Sequence, residues 1–174
     1  MAEYTGRIEI EHPAGEVFAF LADPRHLPRY LPTVTHVEPH GLRGDRLAVA
    51  VEGEMEGHRY RDTGWLRVAP KARRLDWGSD THAEYGGSLT VEEAPQGTVV
   101  AVSLHTTPSP AAAARLEREA SNVDHGMRLA LERVLGSIKA ACEAAPRAVD
   151  PDRRTDDMPD SRVFGSTATL DPEI

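Results

Sequence analysis

The stretch His12–Val34, HPAGEVFAFLADPRHLPRYLPTV, decides how the rest of this chain is read. Val17, Phe18, Phe20 and Leu21 fall within about a turn and a half of helix. Pro24, Pro28 and Pro32 follow at four-residue spacing. Pro13 suits the first turn of a helix, where a missing N–H leaves nothing unsatisfied. Ala14 to Ala22 is therefore expected to be a short helix presenting Val17, Phe18 and Leu21 together. Asp23-Pro24 stops it, because the residue before a proline is pushed out of the α region. Asp23 then caps a second short helix carrying Leu27, Tyr30 and Leu31, which Pro32 ends. The prolines act as starts and stops. The stretch reads as two short helices closing an apolar space, and not as a catalytic loop or docking peptide.

Upstream, Glu3 to Glu11 (EYTGRIEIE) alternates with Ile8 and Ile10 on one face, a first strand. Downstream, from Thr33 to Thr106, the period is two. The expected strands are VTHVEP, RLAVAVEGEM with Leu47, Val49 and Val51 on one face, GHRYRDTGWLRV, RRLDWGSD, EYGGSLTVEE and TVVAVSLHTT. HGLRGD, GEMEG, APKA, SDTHA and APQG separate them as turns. Short strands at such even spacing read as an antiparallel meander. Ser109 and Pro110 then supply an N-cap and first helical residue. A long helical segment follows from about Ala111 to Ala144, with a kink or break expected near Ser121–Asn122 or Gly126. Val123, Met127, Ala130, Leu131, Val134, Leu135, Ile138 and Cys142 form its apolar stripe, opposite Arg128, Glu132, Arg133 and Lys139. After Pro146 the sequence is rich in Asp, Arg and Pro. Residues 146–174 are expected to be a disordered acidic tail, leaving residues 1–145 as the folded domain.

Composition excludes several classes of function. The 174 residues suit one domain with a proper core, and a 28% charged share fits a soluble protein. A formal net charge of -8 disfavours duplex DNA and anionic membranes, which attract basic surfaces. No run approaches the roughly 18 apolar residues that span a bilayer. MAEYTGRIEIEH lacks the basic start and apolar centre of a signal peptide, and Cys142 is the sole cysteine. The expectation is a cytoplasmic protein with no nucleic-acid partner, no membrane insertion and no intrachain disulfide. Oligomeric state stays open.

The element order and the opening motif together carry a resemblance. The pattern I.I..PAGEVFAFLADPRHLPRYLP.V resembles the start of the polyketide cyclase/dehydrase and lipid-transport branch of the START-like, or SRPBCC, superfamily. PKARRLDWG, GTVVAVSL and LERVLGSIKAACE resemble later parts of the same branch, so the likeness covers about residues 3 to 144. It implies an α+β helix-grip fold: a curved antiparallel sheet of about seven strands wrapped around the long C-terminal helix. It also implies an apolar cavity between sheet and helix. Members bind lipids, sterols, polyketides or hormones, and a minority catalyse cyclisation or dehydration, so the fold does not settle the function.

Eight histidines raise a metal site, but there is no HExxH and no Cys or Asp at ligand spacing beside them. His36 and His40, if strand-spaced, stand about 13 Å apart. No metal and no cofactor is expected. GxSxG and phosphate-binding glycine loops are absent, Gly86-Gly87 reads as a bend in the sheet, and Cys142 as a buried structural thiol. In GHRYRDTGWLRV, His58, Tyr60, Asp62, Leu66 and Val68 share one face, and Arg59, Arg61, Thr63, Trp65 and Arg67 the other. Three arginines favour solvent, so the first face is expected to be concave. His58, Tyr60 and Asp62 thus become candidates for acid–base work on a carbonyl compound, the alternatives being that Asp62 holds a ligand hydroxyl or pairs with an arginine. The lining expected beside Tyr60 is Val49, Val51, Leu75, Trp77, Tyr85 and Leu89 from the sheet. Val100 and Val102 join if that parity of the last strand faces inward, and Met127 and Leu131 come from the helix. A small hydrophobic ligand is the expected partner. The alternatives are a cyclase or dehydrase acting through the same cavity and a chaperone-like partner-binding module.

Overall fold

In a computed structural model that describes residues 2–144 apart from Glu56, the chain begins with β1 (Ala2–Ile10). Then come α1 (Ala14–Ala22), a 3₁₀ turn (Pro24–His26) and α2 (Leu27–Tyr30). Six strands follow: β2 (Val34–Arg43), β3 (Arg46–Met55), β4 (His58–Ala69), β5 (Arg74–Ser79), β6 (Gly86–Ala94) and β7 (Gly97–Thr106). The described part closes with α3 (Pro110–Glu119) and α4 (Val123–Ala144). The seven strands form one antiparallel sheet in the order β1-β7-β6-β5-β4-β3-β2. This is the curved sheet around a long helix that the resemblance implies. The expected tail, residues 146–174, lies outside the described residues. Among the described residues, no helix is long and apolar enough to cross a membrane.

Directly opposed residues of antiparallel strands point to the same face. One row runs Gly6, Val102, Leu89, Leu75 across β1, β7, β6 and β5. Another runs Trp77, Leu66, Leu47 across β5, β4 and β3. This inner face receives α4, whose Leu131, Leu135, Ile138 and Cys142 are buried in the common core. Gly6 sets the approach. A Cβ there would stand 2.6 Å from Cδ1 of Leu135, so its absence lets α4 lie close on β1. Near the far end of α4, Lys139 donates to the Glu9 carbonyl (2.9 Å) and Glu143 accepts from the Glu11 N–H (3.4 Å). These bonds occupy polar backbone groups that an edge strand otherwise leaves open.

The proline-rich segment folds with one change from expectation. α1 buries Ala14, Val17, Phe18 and Leu21, and Asp23 follows it in extended conformation. Asp23 caps the 3₁₀ turn, accepting from Arg25 N at 3.0 Å, rather than an α-helix. α2 is a separate single turn, because Pro32 pushes Leu31 before it into extended conformation. Tyr30 is 4% exposed and donates to the Leu21 carbonyl at 3.0 Å, tying α2 back to α1. The hydrogen bonds from the Arg25 side chain, more than its backbone N–H, hold the Asp23 carboxyl at a pKa of about 2. A depressed folded-state pKa stabilises above the unfolded value near 3.8 and ceases to do so as pH falls through about 2. Asp23→Ala should therefore cost about 1 kcal/mol at neutral pH. That difference from wild type should shrink between pH 4 and pH 2 in urea titrations. A difference independent of pH would show that the cap acts without its charge.

One further expectation is corrected. His40 lies inside β2, not at a turn, because the strand continues to Arg43 through an irregularity between Pro39 and Gly41, with Gly41 at φ +94. The hairpin turn itself is only Gly44 and Asp45. The long helical segment breaks near Ser121–Asn122, as its sequence signals, into α3 and α4. Ala120 is extended, Asn122 Oδ1 caps α4 by accepting from His125 N at 2.8 Å, and α3 folds back so closely that a Cβ on Gly126 would lie 2.9 Å from the Leu116 side chain.

Candidate functional site

Strand alternation puts Tyr60, Asp62 and Trp77 on the inner face: Gly53 opposes Tyr60, Val51 opposes Asp62 and Gly87 opposes Trp77. Val49, Val51, Leu75, Leu89, Val100 and Val102 share that face by the same register. Burial divides them. Val49, Leu75, Leu89, Val100 and Val102 are buried together with Leu131 in the core. Val51, Tyr60, Trp77 and Met127 are only half-buried, and Tyr85, in the loop before β6, is 43% exposed. The face therefore passes from dry core to an aromatic, partly open region.

Two glycines shape that region. The ring of Tyr60 and the carbonyl of Thr33 occupy the space a Gly53 side chain would need. The Trp77 indole lies 2.5 Å from where a Gly87 Cβ would be. Each ring thus occupies room that the missing side chain of a glycine on the neighbouring strand leaves free. The Tyr85 hydroxyl feels Trp77, Tyr60 and Asp62 as its polar neighbours. Removal from water raises its pKa, the Trp77 indole N–H partly offsets this, and Tyr60 and Asp62 add to the rise. Tyr85 is a neutral O–H donor at physiological pH.

The three acid–base candidates are not brought together. His58 is exposed at the start of β4, beside the β3–β4 hairpin. Four strand residues put its Cα about 13 Å from that of Asp62. The Tyr60 hydroxyl donates to the Thr33 carbonyl at 3.3 Å. Asp62 accepts from Thr63 N (2.8 Å), Ser79 Oγ (3.0 Å) and Thr81 Oγ1 (2.6 Å). Ser79, Thr81 and His82 were not singled out by sequence reasoning. Their only signal is a hydroxyl-rich turn, SDTH, just ahead of Tyr85.

Elsewhere, burial pushes the Cys142 thiol up to about 11, so it is not a nucleophile at neutral pH. Among the described residues, no three of His, Cys, Asp and Glu gather in a metal-ligating group. An open hollow of about 670 Å³ lies at the α3–α4 elbow, lined by Glu117, Ser121, Asn122, Val123, Asp124, His125 and Arg128. Its charges of mixed sign offer little to an apolar ligand.

No curated protein matches the sequence. The model of one family, described as polyketide cyclase/dehydrase and lipid transport, matches residues 1–143. Among solved structures, a protein of Thermus thermophilus is 20% identical with a TM-score of 0.66, covering 82% of this chain and 98% of that one. The Zhui aromatase/cyclase from Streptomyces sp. R1128 is 16% identical with a TM-score of 0.60, covering 84% and 99%. A START superfamily protein from Mycobacterium smegmatis is 13% identical with a TM-score of 0.61, covering 81% and 97%. At these identities the likeness is one of fold.

Proposed function

Because the chain belongs to the polyketide cyclase/dehydrase and lipid-transport family, we propose that it binds a lipophilic or aromatic small molecule on the inner face of the sheet. The observation that carries this reading is the pair of aromatic rings, Tyr60 and Trp77, seated against Gly53 and Gly87 and left half-buried beside the exposed Tyr85. Half-buried aromatic surface next to a dry core is where an apolar ligand gains most from leaving water. Val51 and Met127 add apolar contact from β3 and α4. The Tyr85 O–H supplies one polar anchor, suited to a carbonyl or hydroxyl oxygen of the ligand. An apolar site with few polar groups is the usual makeup of a small-molecule site.

A cyclase or dehydrase reading has one observation in its favour: Asp62 lies near a phenol that stays protonated, a pairing general acid catalysis can use. The hydrogen bonds already made by Asp62 and Tyr60, and the exposed position of His58, favour binding over turnover by that trio. Native mass spectrometry of the full chain as purified from cells tests the binding reading. The expected result is a complex with a small molecule of defined mass, and uptake of N-phenyl-1-naphthylamine once that molecule is stripped. Bare protein that leaves the fluorescence of this dye unchanged would remove the proposal.

A further inference from the structure

Asp62 does more than any sequence signal implies. Its two oxygens receive the side chains of Ser79 and Thr81 from across β5 and from the loop beyond it. Ser79 Oγ in turn accepts from the backbone N–H of Thr81 (3.1 Å) and of His82 (3.0 Å). Thr81 Oγ1 also lies 3.2 Å from Ser79 Oγ and 2.8 Å from Nδ1 of His82, so the three side chains form one polar network around the carboxylate. That nitrogen also stands 3.7 Å from the carboxylate. One inner-face carboxylate thus organises the first half of the β5–β6 loop. The second half is tied by Tyr85 N to the His82 carbonyl at 2.9 Å, and it delivers Tyr85 to Trp77.

No residue from Asp80 to Tyr85 is buried. The loop therefore has no apolar anchor in the core, and its place depends on polar contacts: the side-chain bonds to Asp62, together with the Asp80 N–H to the Thr63 carbonyl at 2.9 Å and the Ser79 N–H to the Tyr85 carbonyl at 3.4 Å. Segments held this way open at low cost compared with the sheet they leave. We propose that Asp62 is a positioning residue, the catch of a gate: it holds residues 79–85, and with them Tyr85, across the open end of the inner face. A ligand reaches Trp77 when these hydrogen bonds release. The gate rests on the binding reading above, while the catch itself does not.

Both parts are tested on the full chain with N-phenyl-1-naphthylamine as probe, in wild type, Asp62→Ala and the double variant Ser79→Ala/Thr81→Val. The double variant leaves Asp62 intact and removes only its loop-side partners. If Asp62 is the catch, amide hydrogen exchange across residues 79–85 rises in both variants and stays unchanged in β1 and β7. If the loop is the gate, probe association and dissociation both become about tenfold faster in both variants, roughly the equivalent of one hydrogen bond to a charged group. The equilibrium affinity then moves less than about threefold. Unchanged exchange in the double variant overturns the catch. Faster exchange with unaltered probe kinetics overturns the gate. An affinity loss confined to Asp62→Ala would mean that the carboxylate touches the ligand directly, which also overturns the proposal. If wild type takes up no probe, the binding reading and its gate fall together, and the exchange data still decide whether Asp62 is the catch.

Discussion

Ile138→Ala is expected to destabilise the protein by about 2–5 kcal/mol, the usual range for truncating a buried isoleucine. Ile138 is 2% exposed on the stripe of α4, between Leu135, which packs over Gly6 of β1, and Cys142. The substitution removes three carbons, each worth about 0.8 kcal/mol by transfer alone. The cavity term comes on top, since the rigid sheet on one side cannot collapse into the gap. For a domain of this size the midpoint of thermal unfolding should fall by about 10 °C. Urea unfolding should show the midpoint shifted at constant slope, the mark of a stability change and not of a changed unfolded state. Glu132→Ala, on the exposed side of the same helix, should stay within about 0.5 kcal/mol of wild type. A loss below about 1 kcal/mol for Ile138→Ala would mean that α4 is not clamped to the sheet as described.

Trp77→Ala is expected to weaken binding of N-phenyl-1-naphthylamine by about 30-fold, the effect of losing an aromatic anchor worth about 2 kcal/mol. The indole supplies broad flat contact and covers Gly87, so its removal takes away ring surface and exposes backbone to the ligand's apolar face. The second tryptophan serves as internal control. Trp65 opposes Gly78, is covered by the Arg46 guanidinium 4.0 Å from its ring centroid, and lies on the outer face. Trp65→Ala should therefore cost stability but change probe affinity less than about threefold. Equal losses in both variants would locate the effect in general destabilisation. No loss in Trp77→Ala would move the site away from the aromatic region. Tryptophan emission offers a second readout: bound probe should quench Trp77 in a Trp65→Phe background.

Much of the fold was legible because its punctuation is local. Pro13, Pro24 and Pro32 mark helix starts and stops through backbone sterics alone, and α1 begins and ends where they imply. The alternation of Leu47, Val49 and Val51, or of Leu75 and Trp77, is likewise visible in one strand at a time. It states which residues share a face. The β4 pattern went further, since a run of arginines on one side is a local argument for solvent there.

Legibility stopped at contacts between distant segments. The break between α3 and α4 falls at Ala120–Asn122, where the cap by Asn122 and the close approach of Leu116 to Gly126 let the chain double back. Periodicity near Ser121 signalled an interruption but not a reversal. His58 and Asp62 looked like partners because they share strand parity, yet parity fixes direction and not distance. The real partners of Asp62 are Ser79 and Thr81, 17 and 19 residues away, brought there by the β4–β5 register and a turn whose side chains have no period to read.

The order of elements, the faces of the strands and the apolar stripe of the last helix were all written in the chain itself, because steric and hydrophobic periodicities act over a few residues. Which inner-face residues are dry core and which remain open was settled by folding in three dimensions. Folding also laid Tyr60 and Trp77 over Gly53 and Gly87, and it brought the hydroxyls of Ser79 and Thr81 to Asp62. Those outcomes depend on sheet curvature and strand register, which set distances between residues that no local pattern connects.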